Sequence, residues 1–122
     1  MTFSVSRRLA SFVQAFRGAR VLLVSQHNAW IHLTAAVLVI ALGFVFNISP
    51  GEWIAVILSM GMVWCAEGVN TAIELLADEI SLEQRERIGK AKDVAAFAVL
   101  AAAITAACVG VIVFGRHLLT GG

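Results

Sequence analysis

Charge is scarce in this sequence. Of its 122 residues only 14% are Asp, Glu, Lys or Arg, and 60% are apolar, whereas an ordinary soluble domain carries about a quarter charged residues. A chain this short lacks the interior to bury so much apolar surface in water, which argues against a soluble helical bundle. An excess of one sign is missing too. The net charge is +1, with no dominant basic face, so nucleic acid is not an expected partner. Cysteine is limited to Cys65 and Cys108, without metal-type spacing. Both sit in apolar runs, where they read as small packing residues. The first residues do not read as a cleavable signal, because Arg7 and Arg8 lead into a mixed segment rather than a clean apolar core. No internal repeat is evident. No Walker loop and no protein-kinase motif set is present, so any nucleotide site must be built differently.

What is present is three long apolar runs and one polar stripe. Residues 5–24 are expected to form an amphipathic surface helix, with Leu9, Phe12, Val13, Phe16 and Leu23 on one side and Arg7, Ser11 and Gln14 on the other. A basic amphipathic helix beside a span lies in the membrane interface. Arg20 falls near the middle of the apolar side. It implies a helix break at Gly18, a snorkelling side chain or a role in a site. Residues 29–46, 53–77 and 94–114 are predicted spans, each close to the roughly 20 residues that a bilayer requires. Ser49, Pro50 and Glu52 make a capping box that starts the second span. Ser81-Leu82-Glu83-Gln84 offers a second box, so a short helix is expected before the third span. Trp30 and Trp53 sit where interfacial anchors do, and Trp64 is placed for packing. Ala98, Ala102, Ala106 and Gly110 form a small-residue stripe suited to close helix contact, within or between subunits. The fold class is therefore all-α and integral to a membrane, in a single domain over residues 1–122.

Orientation follows from the basic residues. Arg7, Arg8, Arg17 and Arg20 precede the first span, and Arg85, Arg87, Lys90 and Lys92 lie between the second and third. The first loop has none, and Arg116 alone follows the third span. By the positive-inside rule the N-terminus and the second loop are cytoplasmic.

Glu67, Asn70, Glu74 and Asp78 are 3, 4 and 4 residues apart, which puts all four on one helix face over about 16 Å. An ionised carboxylate within a bilayer costs roughly 2.5–3.5 kcal/mol on insertion scales. The stripe should therefore face a wet cavity, a cation or another helix. Three uses remain open from the residues alone. These are cation transport, a proton relay, or Mg²⁺ held on a phosphate with a lysine such as Lys92 nearby.

At this point the sequence resembles a family. Glu67-Gly68-Val69-Asn70-Thr71-Ala72-Ile73-Glu74 followed by Asp78 looks like the signature of the small bacterial membrane lipid kinases, the prokaryotic diacylglycerol and undecaprenol kinases. Ala91-Lys92-Asp93-Val94-Ala95-Ala96 resembles their second motif. His27-Asn28-Ala29-Trp30-Ile31-His32-Leu33 resembles the start of the first span in the undecaprenol-kinase branch. The resemblance covers nearly the whole chain and displaces transport as the leading reading. It implies a homotrimer of three-span subunits in the bacterial inner membrane, with active sites shared between neighbours. It also implies ATP as phosphoryl donor, Mg²⁺ as cofactor and a membrane lipid alcohol as acceptor. Carried over by position, Glu67 is the catalytic base for the lipid hydroxyl, and Asn70 orders the site beside it. Glu74 ligates the metal. Lys92 and Asp93 contact the nucleotide, with Arg7, Glu83 and Arg85 as further candidates. Glu79, Glu86 and Arg87 read as a solvated face.

The sequence departs from the family pattern at two places. The family carries a second metal-binding Glu just before the first span, and this chain has Gln26 there. Gln26 is thus a candidate metal and nucleotide ligand that offers an oxygen without a charge. Phe97 stands where small residues are usual. The branch motif favours undecaprenol as substrate, with diacylglycerol as the alternative. Gln26 motivates a reading of another class, a nucleotide- or lipid-binding membrane protein with impaired catalysis.

Overall fold

A computed structural model describes residues 3–121, and among them the chain is helical without a strand. Helix α1 spans Val5–Ser25, α2 His27–Val45, α3 Pro50–Ile80 and α4 Glu86–Thr120. The last three are long and apolar enough to cross a membrane. α3 packs chiefly against α4, with smaller contacts to α2 and α1, and α1 also meets α2.

Helix α1 starts at Ser4, whose side chain accepts from the Arg7 amide. It continues unbroken through Gly18, and the break expected as one option there does not occur. The chain turns instead at Gln26, which is extended (φ −117°, ψ 117°) and ends α1 as it begins α2. Trp30 straps this corner: its indole N–H donates to the Leu23 carbonyl at 2.7 Å, satisfying one of the acceptors that a helix end leaves open. The apolar side chains Leu9, Phe12, Val13 and Phe16 are exposed, whereas Leu22 is buried.

The α2–α3 turn closes in a Schellman geometry. The Ile48 amide reaches the Gly43 carbonyl and the Asn47 amide the Phe44 carbonyl. Asn47 supplies the left-handed residue (φ 50°). It is one of the few side chains that tolerate this region. The capping box then forms as expected, with the Ser49 hydroxyl accepting from the Glu52 amide at 3.2 Å and the Glu52 carboxylate accepting from the Ser49 amide at 3.1 Å. Trp53 lies directly over Gly43, where a β-carbon would approach the indole to 2.5 Å. A small apolar core of Ile48, Val56, Val113 and Phe114 holds this end together.

At the opposite end one expectation is corrected. Ser81 closes α3 as its C-cap, and its hydroxyl accepts from the Glu83 amide two residues on. It does not open a short helix. The third span and the charged segment before it form one continuous helix from Glu86. Within α4, Ala102 is buried and Ala106 and Gly110 are half-buried, while Ala98 is exposed. Ala106 and Gly110 line a cavity of about 300 Å³ between α2, α3 and α4.

Candidate active site

The stripe on α3 is graded. Glu67 is 1% exposed and Asn70 9%. Glu74 is half-buried and Asp78 is exposed. Each position meets a partner from another part of the chain or from the stripe itself. The Glu67 carboxylate lies 2.8 Å from Nε2 of His32 on α2. The Glu74 carboxylate accepts from two amides, Gln26 at 3.2 Å and Asn70 at 3.3 Å. Asp78 pairs with Lys92 of α4 at 2.7 Å. Thus α3 carries the acids, and the α1–α2 corner, α2 and α4 bring the groups that answer them. Burial falls steadily toward the end where the basic residues gather. A carboxylate as buried as Glu67 requires a hydrogen-bond donor, and Nε2 of His32 is the group within reach of it.

The candidate residues separate into groups. Gln26, Asn70 and Glu74 are joined by hydrogen bonds. Glu83, Arg85, Lys92 and Asp93 line one cleft of about 680 Å³ at the α3–α4 loop. Lys92 connects the two groups through Asp78, one turn from Glu74 on α3. Arg7 stands apart on the exposed first turn of α1, and among the described residues its guanidinium makes no ion pair. Glu86 pairs with Lys90 on the solvated face of α4 at 3.0 Å, which agrees with its reading as a surface charge. Among the described residues no three His, Cys, Asp or Glu side chains cluster tightly enough to hold a metal without help. Among the described residues Asn70 Oδ1 and Thr71 Oγ1 are buried without a hydrogen-bond partner, so unused polar capacity remains near Glu74.

His32 was not singled out in the sequence as a site residue. The signal that points to it is an ionisable side chain within an otherwise uncharged span. The arrangement as a whole is suited to anion chemistry at a membrane edge. A buried acid and a half-buried acid held by amides follow one another along α3, and beyond them lies a cleft lined by three cations, Arg85, Lys90 and Lys92, among the acids Glu83, Glu86 and Asp93.

Comparison with known proteins decides among the uses of such a stripe. Residues 13–114 match the family described as Prokaryotic diacylglycerol kinase. The chain belongs to this family. It is also similar to the Undecaprenol kinase of Bacillus subtilis (strain 168), 34% identical over 110 residues that cover 90% of this chain and 89% of that one. Membership makes the protein a membrane lipid kinase and removes the cation-transport reading. The whole polar stripe, His32 and the Lys92–Asp93 pair lie inside the matched residues. Arg7 lies outside them.

Proposed function

We propose that this lipid kinase transfers the γ-phosphoryl group of ATP to the hydroxyl of a membrane lipid alcohol, and that undecaprenol is favoured over diacylglycerol. The observation that carries the reading is the graded stripe on α3, with an acid at membrane depth and a second acid nearer the aqueous end. The name of the Bacillus relative and the motif from His27 to Leu33 support the choice of lipid.

In this reading Glu67 accepts the proton of the lipid hydroxyl. The freed oxygen attacks the γ-phosphorus, the new O–P bond forms, and the bond from that phosphorus to the β–γ bridging oxygen breaks. ADP leaves with the bridging oxygen, and the proton stays on Glu67 until water removes it. Base catalysis of this kind commonly contributes 10²–10⁴-fold. Lys92, with Arg85 nearby in the cleft, faces the phosphates as point and planar cations, and Asp93 and Glu83 border the same cleft. Arg7 is a further nucleotide contact only if another subunit or the nucleotide reaches it.

Mg²⁺ fits the residues present. It ordinarily takes one or two carboxylates and fills its shell with phosphate oxygens and water. Glu74 supplies one carboxylate, which accepts here from the NH₂ groups of Gln26 and Asn70; a turn of either amide would bring its oxygen to the ion instead, and Asn70 Oδ1 is buried without a hydrogen-bond partner among the described residues. When bound with ATP the ion neutralises charge on the transferring phosphoryl group. The proposal extends to the bacterial inner membrane, a cytoplasmic N-terminus and a homotrimer with shared sites, the last read by native mass spectrometry as three copies.

The test is transfer of label from γ-labelled ATP to phosphatidylcholine vesicles containing undecaprenol or diacylglycerol. Phosphorylated undecaprenol is expected as the main product. Preferential labelling of diacylglycerol would reverse the substrate assignment, and absence of any labelled lipid would overturn the reading.

A further inference from the structure

Glu67 is almost fully buried (1% exposed), and among the described residues His32 is its hydrogen-bond partner. The contact joins Nε2 of His32 to Oε1 of Glu67 at 2.8 Å, so the second carboxylate oxygen, Oε2, makes no hydrogen bond to the described residues. The two side chains are 35 positions apart in the chain and on different helices, α2 and α3. His32 also lines the apolar cavity between α2, α3 and α4, whose wall includes Trp64 and Ala103. His32 thus both contacts the Glu67 carboxylate and borders an apolar cavity.

We propose that His32 is a positioning residue for Glu67, donating from Nε2 to Oε1 so that Oε2 is presented to the lipid hydroxyl. This rests on the reading of Glu67 as the base. A carboxylate in such surroundings needs a donor, because an unanswered acceptor there loses its hydration without return. A donor on one oxygen also fixes the side-chain rotamer and thereby the direction of the other oxygen. Orientation of this kind acts on the chemical step, since small misplacements of a reacting group are costly in rate. The donor comes from α2, so the alignment of the base depends on how α2 seats against α3. Among the described residues no other side chain hydrogen-bonds the Glu67 carboxylate. α4 faces the cavity with Ala103, Ala106 and Ala107, and α1 meets the neighbouring turns of α3 through Gly18, Ala19 and Leu22.

The experiment compares the full-length unaltered protein with His32→Leu and His32→Gln in phosphatidylcholine vesicles containing undecaprenol, with γ-labelled ATP. Leu fills similar space but donates nothing, whereas the Gln amide can still donate toward Oε1. The expected result is a fall in kcat of about 10–100-fold for His32→Leu, the size of one lost hydrogen bond to a charged group. The KM for ATP and binding of a fluorescent ATP analogue are expected to stay within about twofold, and His32→Gln should recover most of the rate. A His32→Leu kcat within twofold of the unaltered protein overturns the proposal. So does a loss that appears in the KM for ATP instead, or a folded His32→Gln variant no better than about tenfold below the unaltered rate. If His32→Leu does not fold, as judged by gel filtration in detergent, the His32→Gln rate alone decides in the same way. If the unaltered protein labels no lipid alcohol, the kinase reading itself fails and this inference falls with it, which separates the two failures.

Discussion

Glu67, paired with His32, and Gln26, bonded to Glu74, belong to two separate sets of polar contacts, and they carry the residue-scale expectations. Replacing Glu67 by Gln keeps an amide oxygen that can still accept from His32, so the packing around this 1% exposed position should survive. The variant is expected to lose 10²–10⁴-fold in turnover, the usual scale of general-base catalysis. Binding of a fluorescent ATP analogue should change little, because Glu74 and Lys92 are untouched. Near-normal turnover in a lipid phosphorylation assay would remove Glu67 from the chemistry. Gln26 presents its NH₂ group to Glu74 at 3.2 Å, so a carboxylate there would face another carboxylate. At about 4 Å and an effective dielectric near 20, two unit charges repel by about 4 kcal/mol, unless a cation lies between them. Gln26→Glu is therefore expected to lower the Mg²⁺ concentration for half-maximal activity and to be less heat-stable than the unaltered protein when Mg²⁺ is chelated. Superimposable Mg²⁺ titrations of the two forms would place Gln26 outside the metal shell. They would also take away the reason for regarding the protein as catalytically impaired.

At the scale of elements, the α2–α3 hairpin is specified locally and its fit is tight. The Schellman closure at Asn47, the capping box from Ser49 to Glu52 and Pro50 in the first turn all arise from residues within a few positions of one another. Gly43 is different, because its requirement comes from Trp53 across the hairpin. A β-carbon at Gly43 would meet the indole at 2.5 Å. Gly43→Ala is thus expected to destabilise by about 1–3 kcal/mol, as overpacking does, read as a lower unfolding temperature in detergent. Adding Trp53→Leu should recover part of that loss, and equal destabilisation with and without the second change would show that the indole is not the obstacle. Ser81 shows where local reading failed. A Ser with Glu83 and Gln84 after it has the composition of a helix start, but the chain there is leaving α3. α4 then begins at Glu86 with Arg85 as an N-cap that makes no side-chain bond. Whether a serine closes a helix or opens one depends on which neighbouring segment is already packed, and α3 is held by α4.

Over the whole molecule, apolar surface points outward along most of the length. Leu38, Leu58, Leu100, Ile104, Val111 and Ile112 are all exposed, as expected where lipid replaces water around the helices. Eight of the nine basic residues lie before α2 or between α3 and the first turns of α4, and Arg116 alone lies at the other end. With Cys65 and Cys108 replaced, an impermeant maleimide is expected to label Leu119→Cys in intact cells and Ser6→Cys only after permeabilisation. The opposite pattern would invert the proposed orientation. The sequence by itself determined the three membrane-capable helices, the alignment of Glu67, Asn70, Glu74 and Asp78 on one face, and the family, because hydropathy, helical periodicity and motif spacing are properties of contiguous residues. It could not determine what each acid meets. His32 at Glu67, Gln26 at Glu74 and Lys92 at Asp78 come from segments 35, 48 and 14 residues away. Those pairings were decided only by the tertiary structure, because the register in which α2 and α4 pack on α3 selects which side chains come within hydrogen-bonding distance.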